Sequence, residues 1–289
     1  TREEGDLVEV FRPAAPGENV ARRGEDVRAG DKILKAGRLL RPQDVGLLSA
    51  LGCGEVPVRR RPRVAVISTG DELVEPSEIP GPGRIRNVNQ YSLGAWITRC
   101  GGDPLLLGLV GDDLEAIMAR VAQGLERADM VLISGGSSAG TRDLTKEVVA
   151  SAGEPGLLHH GLAIRPGKPT VVGASGSQPI FGLPGHPVSA MVIFLVLVRP
   201  VLNLLRGLGV EEGTFGVPAR LSDNLPSQAG REDFYQVRLL RGKDGLTAEP
   251  VFRKSGLVTA MVRGDGMVRV PPECEGLEAG EEVEVEVYP

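Results

Sequence analysis

RPRVAVISTGDEL, Arg61 to Leu73, is the stretch on which the reading of the fold turns. Its apolar run Val64–Ile67 reads as a buried strand and opens directly into a polar loop, and a helix follows over Gln90–Cys100 with Asn89 as its cap. Outward from there the alternation repeats. Leu105–Val110 reads as strand, Leu114–Leu125 as helix, Met130–Ser134 as strand and Leu144–Ala152 as helix. Short apolar runs at Leu162–Ile164, Thr170–Val172 and Ile180–Leu183 follow, and a long helix from Pro187 to about Leu205 closes the unit. Strands alternating with helical stretches predict a parallel sheet with crossover helices, an α/β class with a three-layer centre.

The flanks have a different character. Upstream, Asp6–Phe11, Val20–Gly24 and Gly30–Leu34 read as short strands, a helix is expected over Arg41–Leu51, and Gly52–Arg61 is a connector. Downstream of Gly207, Phe215–Leu221, Phe234–Leu240, Leu257–Val262, Met267–Val270 and Glu282–Val287 read as about five strands, enough for a small barrel or sandwich. The expected domains are therefore a partial N-terminal region over 1–61, β-rich plus a helix and connector, a central α/β domain over 62–206, and a C-terminal small β-barrel over 207–289.

A formal charge of −5 and only 3% aromatic residues argue against nucleic acid, which calls for a concentrated positive surface and stacking rings. Cys53, Cys100 and Cys274 are odd in number and widely spaced, so no disulfide framework is expected and a reducing cytoplasm fits. The longest uninterrupted apolar run, Ala190–Val198, is short for a bilayer and reads as a buried helix, so no membrane is expected. TREEGDLVEV begins like the middle of a strand and lacks the order of a secretory signal, so the expectation is a chain missing its N-terminal part.

In a parallel α/β sheet, ligands bind beyond the carboxyl ends of the strands, which singles out four loops. Ser68-Thr69-Gly70-Asp71-Glu72 presents two adjacent carboxylates at a strand end. Gly111-Asp112-Asp113 precedes a helix, where Asp112 reads as an N-cap when taken alone. Ser134-Gly135-Gly136-Ser137-Ser138-Ala139-Gly140 leads to Asp143, and its small residues let backbone N–H groups approach an anion. Arg165-Pro166-Gly167-Lys168-Pro169 and Leu183-Pro184-Gly185-His186-Pro187 are glycine turns stiffened by proline, the first carrying two cations. Acids, an anion loop and cations at one sheet edge are expected to share one cleft. Such a cleft suits a polyphosphate ligand carried with Mg²⁺.

The motifs STGDEL (68–73), GGSSAG (135–140) with DLTK (143–146), RPGKP (165–169) and LPGHPVSA (183–190) resemble the molybdopterin molybdenumtransferases, the family that includes gephyrin's C-terminal domain. GREDFYQVRL and SGLVTAMVRGDGMVRVP extend the resemblance into the tail. It implies a molybdopterin-binding central domain and insertion of molybdenum from molybdate into adenylylated molybdopterin, with release of AMP. It also implies catalytic roles for Glu72, Asp112, Asp143 and Lys168, with Mg²⁺ at Asp71, Glu72, Asp112 and Asp143. Thr69, Gly70, Gly135, Gly136, Ser137, Ser138, Arg165, Pro184, Gly185, His186 and Pro187 would bind the substrate. Family enzymes are homodimers, and the adenylyltransferase that makes the pterin adenylate is an expected partner. Arg165 stands where the family often has Lys, and His186 where Asn is common. The alternatives are the adenylyltransferase itself, usually one domain with a GGTG-like loop, and a non-catalytic scaffold built on the same domain.

Overall fold

The computed structural model describes residues 1–135, 144–210, 213–243, 245–252 and 255–289, and its internal contacts divide it into two units, Thr1–Glu55 and Val56–Pro289. In the first, β1 (Arg2–Glu4) and β2 (Leu7–Glu9) form an antiparallel hairpin, and α1 (Pro42–Ala50) starts on a proline, which suits a first helical turn. The strand expected over Asp6–Phe11 is thus shorter, and those expected at Val20–Gly24 and Gly30–Leu34 do not form. Their acids explain why. Glu18, Glu25 and Asp31 each accept a hydrogen bond from the backbone N–H three residues earlier, at Ala15, Arg22 and Arg28. These local bonds close turns and withdraw amides that a strand ladder would need. Asp44 repeats the device with Arg41, and its carboxyl is held well below the usual range by hydrogen bonds from Arg41 and by Arg38.

The second unit begins with β3 (Arg63–Thr69), followed by a short parallel ribbon of β4 (Leu73–Val74) and β5 (Ile85–Arg86). Next come α2 (Asn89–Arg99), β6 (Asp103–Val110), α3 (Leu114–Arg127), β7 (Met130–Ser134) and α4 (Leu144–Ser151). β8 (Pro155–His160), β9 (Ile164–Arg165), β10 (Val171–Ser175) and β11 (Gln178–Leu183) complete this part. Six strands form one sheet in the order β6-β3-β7-β11-β10-β8. The first four run parallel, while β10 is antiparallel to both β11 and β8, so the expected parallel sheet holds at its centre and ends in an antiparallel edge. Successive side chains of a strand face opposite sides of a sheet. Val64, Val66, Met130 and Leu132 accordingly pack into one cluster with α2 and the long helix below, whereas Ala65, Ile67, Val131 and Ile133 pack into another with α3 and α4. Cover on both faces is what makes these strands apolar throughout.

The long helix runs from α5 (Pro187–Ile193) through a π-helical turn (Phe194–Val198) into α6 (Arg199–Leu205). Pro187–Leu205 is long and apolar enough to cross a membrane by length and composition, but 67% of that span is buried inside the protein as a core helix.

Beyond it lie β12 (Phe215–Leu221), β13 (Leu225–Pro226), β14 (Glu232–Gly242) and β15 (Gly245–Pro250). They are followed by α7 (Val258–Arg263), β16 (Gly266–Val270), β17 (Gly276–Leu277) and β18 (Glu282–Val287). β15, β12, β18, β16 and β14 pair in that order, and β14 pairs back with β15, closing a five-stranded barrel around Leu221, Val237, Ala248, Val268 and Val285. The run Leu257–Val262 is not one of its strands. It forms α7, which packs on α5 and β14 with Ala260 buried, and Gly245–Pro250 supplies the fifth strand instead. β9 leaves the central sheet and adds in parallel to β14, placing Arg165 opposite Asp233.

Candidate functional site

Because β6, β3, β7 and β11 run parallel, their carboxyl ends, Val110, Thr69, Ser134 and Leu183, lie along one edge. The turns leaving that edge are tied to each other. Gly70 N–H donates to the Val110 carbonyl at 3.2 Å, and Gly135 N–H donates to the Leu183 carbonyl at 3.3 Å. Gly135 has φ of 114°, and a Cβ there would lie 2.1 Å from the Thr69 carbonyl oxygen, so this close crossing of two loops admits only glycine.

Two hollows open at this edge. The first, about 950 Å³, is walled by Ser68, Thr69, Glu72, Asn89, Ser134 and Gly135, with the Pro184–Pro187 turn opposite. The second, about 1040 Å³, lies between the Arg165–Pro169 loop and the barrel, whose Arg231, Tyr235, Phe252 and Ser255 form its far wall. Pro169, His186 and Ser189 belong to both walls.

The residues expected to share one cleft line two hollows that adjoin along Pro169, His186 and Ser189. β9 pairs with the barrel strand β14, which sets Arg165 and Lys168 on the wall that faces the barrel. Thr69, Glu72, Gly135, Pro184, Gly185, His186 and Pro187 line the first hollow, and Arg165, Lys168 and again His186 line the second. Gly70 is buried beneath its turn, and the Glu72 carboxylate folds over it. Asp71 and Asp112 are exposed and line neither hollow, although Asp112 N–H donates to Asp71 Oδ1 at 3.0 Å, so the two acids stand together. Gly136, Ser137, Ser138 and Asp143 lie outside the described residues.

Two capping assignments change. Asp113, not Asp112, caps α3, its carboxylate accepting from Ala116 N–H at 2.8 Å, which leaves the Asp112 side chain free of that duty. Asn89 does not cap α2 but is its first residue, and Asn87 Oδ1 accepts from Gln90 N–H and from Ser68 Oγ. Asn89 Nδ2 instead donates to Ser134 Oγ at 2.7 Å and to the Gly185 carbonyl at 2.8 Å. A side chain read as a cap is thus a strut between two functional loops. Buried Thr69 Oγ1, Asn87 Nδ2 and Asn89 Oδ1 have no hydrogen-bond partner among the described residues, an uncommon concentration at a ligand-sized hollow.

Both hollows carry cations, Arg84 and Arg86 beside Glu72 in the first and a larger excess in the second. On the barrel side, buried Asp233 is gripped by Arg231 at 2.9 Å and by Arg165 at 3.5 Å, which fixes both guanidinium groups on the wall where Lys168 also stands. Two arginines and a lysine against one carboxylate leave that hollow net positive. Arg231 and Ser255 were not singled out from sequence, since nothing in a barrel strand or its loop announces that it faces a neighbouring α/β sheet. Among the described residues, no three of His, Cys, Asp and Glu are grouped to cage a metal ion.

Comparisons with known proteins bear on the family and the fold. The family model "Probable molybdopterin binding domain" matches residues 65–204, "MoeA C-terminal region (domain IV)" matches 218–288, and "MoeA N-terminal region (domain I and II)" matches 1–52. Molybdopterin molybdenumtransferase 2 of Mycobacterium tuberculosis is 34% identical over 97% of this chain and 70% of its own length. Molybdopterin molybdenumtransferase of Nostoc sp. is 36% identical over 81% of this chain and 54% of its own. The crystal structure of the molybdopterin biosynthesis moea protein from Pyrococcus horikosii superposes with a TM-score of 0.81 at 40% identity, covering 96% of this chain and 67% of that one. The chain thus spans between about half and about 70% of these relatives. On these matches the chain belongs to the molybdopterin molybdenumtransferase family, transferases of molybdenum cofactor biosynthesis.

Proposed function

We propose that the whole protein inserts molybdenum from molybdate into adenylylated molybdopterin and releases AMP. The observation that carries this reading is the abutment of a small-residue hollow walled by Glu72, Arg84 and Arg86 with a more strongly cationic hollow along one wall. The first suits the phosphorylated pterin: the unpartnered Thr69 hydroxyl, with Gly136, Ser137 and Ser138 following Gly135 in the chain, would meet phosphate oxygens, and the Pro184–Pro187 turn lies opposite. The second suits a dianionic oxyanion, with Arg165 and Lys168 supplying the charge and Arg231 adding to it.

Mg²⁺ fits the donors at the acid edge. This ion is commonly held by one or two carboxylates together with substrate phosphates and waters, and Asp71 and Asp112 stand together at that edge. Glu72 and Asp112 would hold it, with Asp143 and the weaker Asp71 beside them, and it would neutralise charge on the pyrophosphate during cleavage. Lys168 stabilises the oxyanion side of the same event. Cleavage and metal insertion then occur at neighbouring positions without release between them, and the protein supplies no covalent nucleophile. A homodimer in the cytoplasm, receiving its substrate from the adenylyltransferase that makes the pterin adenylate, completes the proposal.

The test is to offer adenylylated pterin, Mg²⁺ and molybdate to the whole protein and to follow AMP and metal-loaded pterin. Molybdate-dependent appearance of both supports the reading, and AMP release indifferent to molybdate contradicts it. Asp143→Asn should abolish the reaction, whereas unchanged insertion would favour a scaffold.

A further inference from the structure

The second hollow is larger than its cations need. At about 1040 Å³ it stands at the upper end of small-molecule sites, about 300–1,000 Å³, and a tetrahedral oxyanion held by Arg165, Lys168 and Arg231 fills a small part of it. Leu162, Val188, Val251, Tyr235 and Phe252 line the same space, and apolar walls give such an ion nothing to bind.

Phe252 is 57% exposed, although the chain on both sides of it is tied down. Val251 N–H donates to the Gln236 carbonyl at 2.9 Å, and Val188 N–H donates to the Ser255 carbonyl at 3.2 Å. The Phe252 and Tyr235 rings meet edge to face, with centroids 6.3 Å apart and planes at 78°, which leaves an aromatic face that the pair does not use. Tyr235 is fixed in turn, its hydroxyl donating to the Pro226 carbonyl and its ring packing on the barrel core. It follows Asp233 by two residues on β14, so both side chains stand on the same face of the strand. Burial raises its hydroxyl above the usual pKa, and the neighbouring guanidinium groups of Arg165 and Arg231 oppose that rise. An aromatic platform thus stands beside the cations.

The chemistry of the proposed reaction supplies its occupant. Molybdenum ends bound by two dithiolene sulfurs, and these are carried on a ring fused to the pterin with no flexible spacer between. The phosphate, in contrast, hangs from that ring system by a methylene. With phosphate against Thr69 in the first hollow and the metal at the cations of the second, the fused rings must cross the wall that Pro169, His186 and Ser189 share. A planar heterocycle gains affinity by stacking on an aromatic face. We infer that the pterin ring, not the adenine, lies against Phe252 on the platform fixed by Tyr235; this rests on the reading of the two hollows given above.

The experiment measures binding of three probes to the whole protein: hydroxymethylpterin monophosphate, AMP and molybdate. It compares the wild type with Phe252→Ala, Phe252→Trp and Arg165→Ala. Phe252→Ala is expected to weaken the pterin about tenfold and to leave AMP and molybdate within about twofold, since it removes a stacking face and no charge. Phe252→Trp should hold the pterin within about twofold of the wild type. In turnover, KM of Phe252→Ala for the adenylylated pterin should rise by a similar factor with kcat within about threefold, as expected of a group that binds the ring. An alanine variant that binds the pterin like the wild type, or that loses AMP instead, overturns the inference and leaves the two hollows standing. Molybdate binding indifferent to Arg165→Ala, or a wild type that binds no pterin phosphate, overturns both.

Discussion

Asn89 joins two loops that the chain places far apart in sequence: its amide nitrogen lies 2.7 Å from Ser134 Oγ and also holds the Gly185 carbonyl. Replacing it with alanine takes this donor from the buried Ser134 hydroxyl and from the Gly185 carbonyl, a cost of about 1–3 kcal/mol. Turnover should fall with KM for the pterin substrate rising, because the phosphate loop and the turn facing it lose their common anchor. Urea unfolding and steady-state kinetics on Asn89→Ala and Asn89→Asp check this. The aspartate should fare worse, since a carboxylate cannot donate to a carbonyl.

Asp112 and Asp113 should separate cleanly. Asp113→Ala removes the cap of α3 and costs about 1 kcal/mol of stability, with activity retained in the folded protein. Asp112→Asn makes no such loss, expected within about 0.5 kcal/mol, yet should lower turnover by about 10²-fold if its carboxylate serves the metal and phosphate. Paired denaturation and rate measurements decide it, and equal effects on both properties in the two variants would contradict the assignment.

Gly135→Ala places a methyl group against the Thr69 carbonyl in a left-handed conformation. The expected penalty is about 3 kcal/mol, read as a lowered denaturation midpoint. Gly230→Ala is the useful contrast: its φ is also positive, but nothing lies within 4 Å of the added carbon, so backbone strain acts there alone and the penalty should be smaller.

Asp129 gives an acid limb to stability. The Arg60 guanidinium and the Arg63 N–H hold its carboxyl below the ordinary value. A lowered folded-state pKa means that the unfolded chain takes up the proton first as pH drops. The stabilisation is therefore complete above the ordinary carboxylate value of about 4 and is lost as pH falls through the lower folded value. Urea denaturation between about pH 3 and 7 should show a shallower acid decline in Asp129→Asn than in the wild type.

The central layer was legible because its physics is local to each strand: Val64–Ile67 and Met130–Ser134 are apolar throughout since both faces are covered. The edge strand β8 was not, because most of Pro155–His160 is exposed and carries no apolar period. Leu257–Val262 misled for the opposite reason, an apolar run whose partners α5 and β14 favour a turn of helix. At the site, the strand-end loops announced themselves through Ser68–Glu72 and Gly135. The second hollow did not, since it depends on β9 crossing to β14, a pairing between segments almost 70 residues apart that no sequence window contains.

The account stands on the oxyanion and the phosphorylated pterin occupying adjoining hollows on either side of His186. Crystals of the whole protein soaked with tungstate as an anomalous scatterer, together with adenylylated pterin, test this directly. The predicted result is a heavy-atom peak bounded by Arg165, Lys168 and Arg231, with pterin phosphate density against Thr69 and Gly135. A peak on the Glu72 side, or a pterin bound away from both walls, would contradict it.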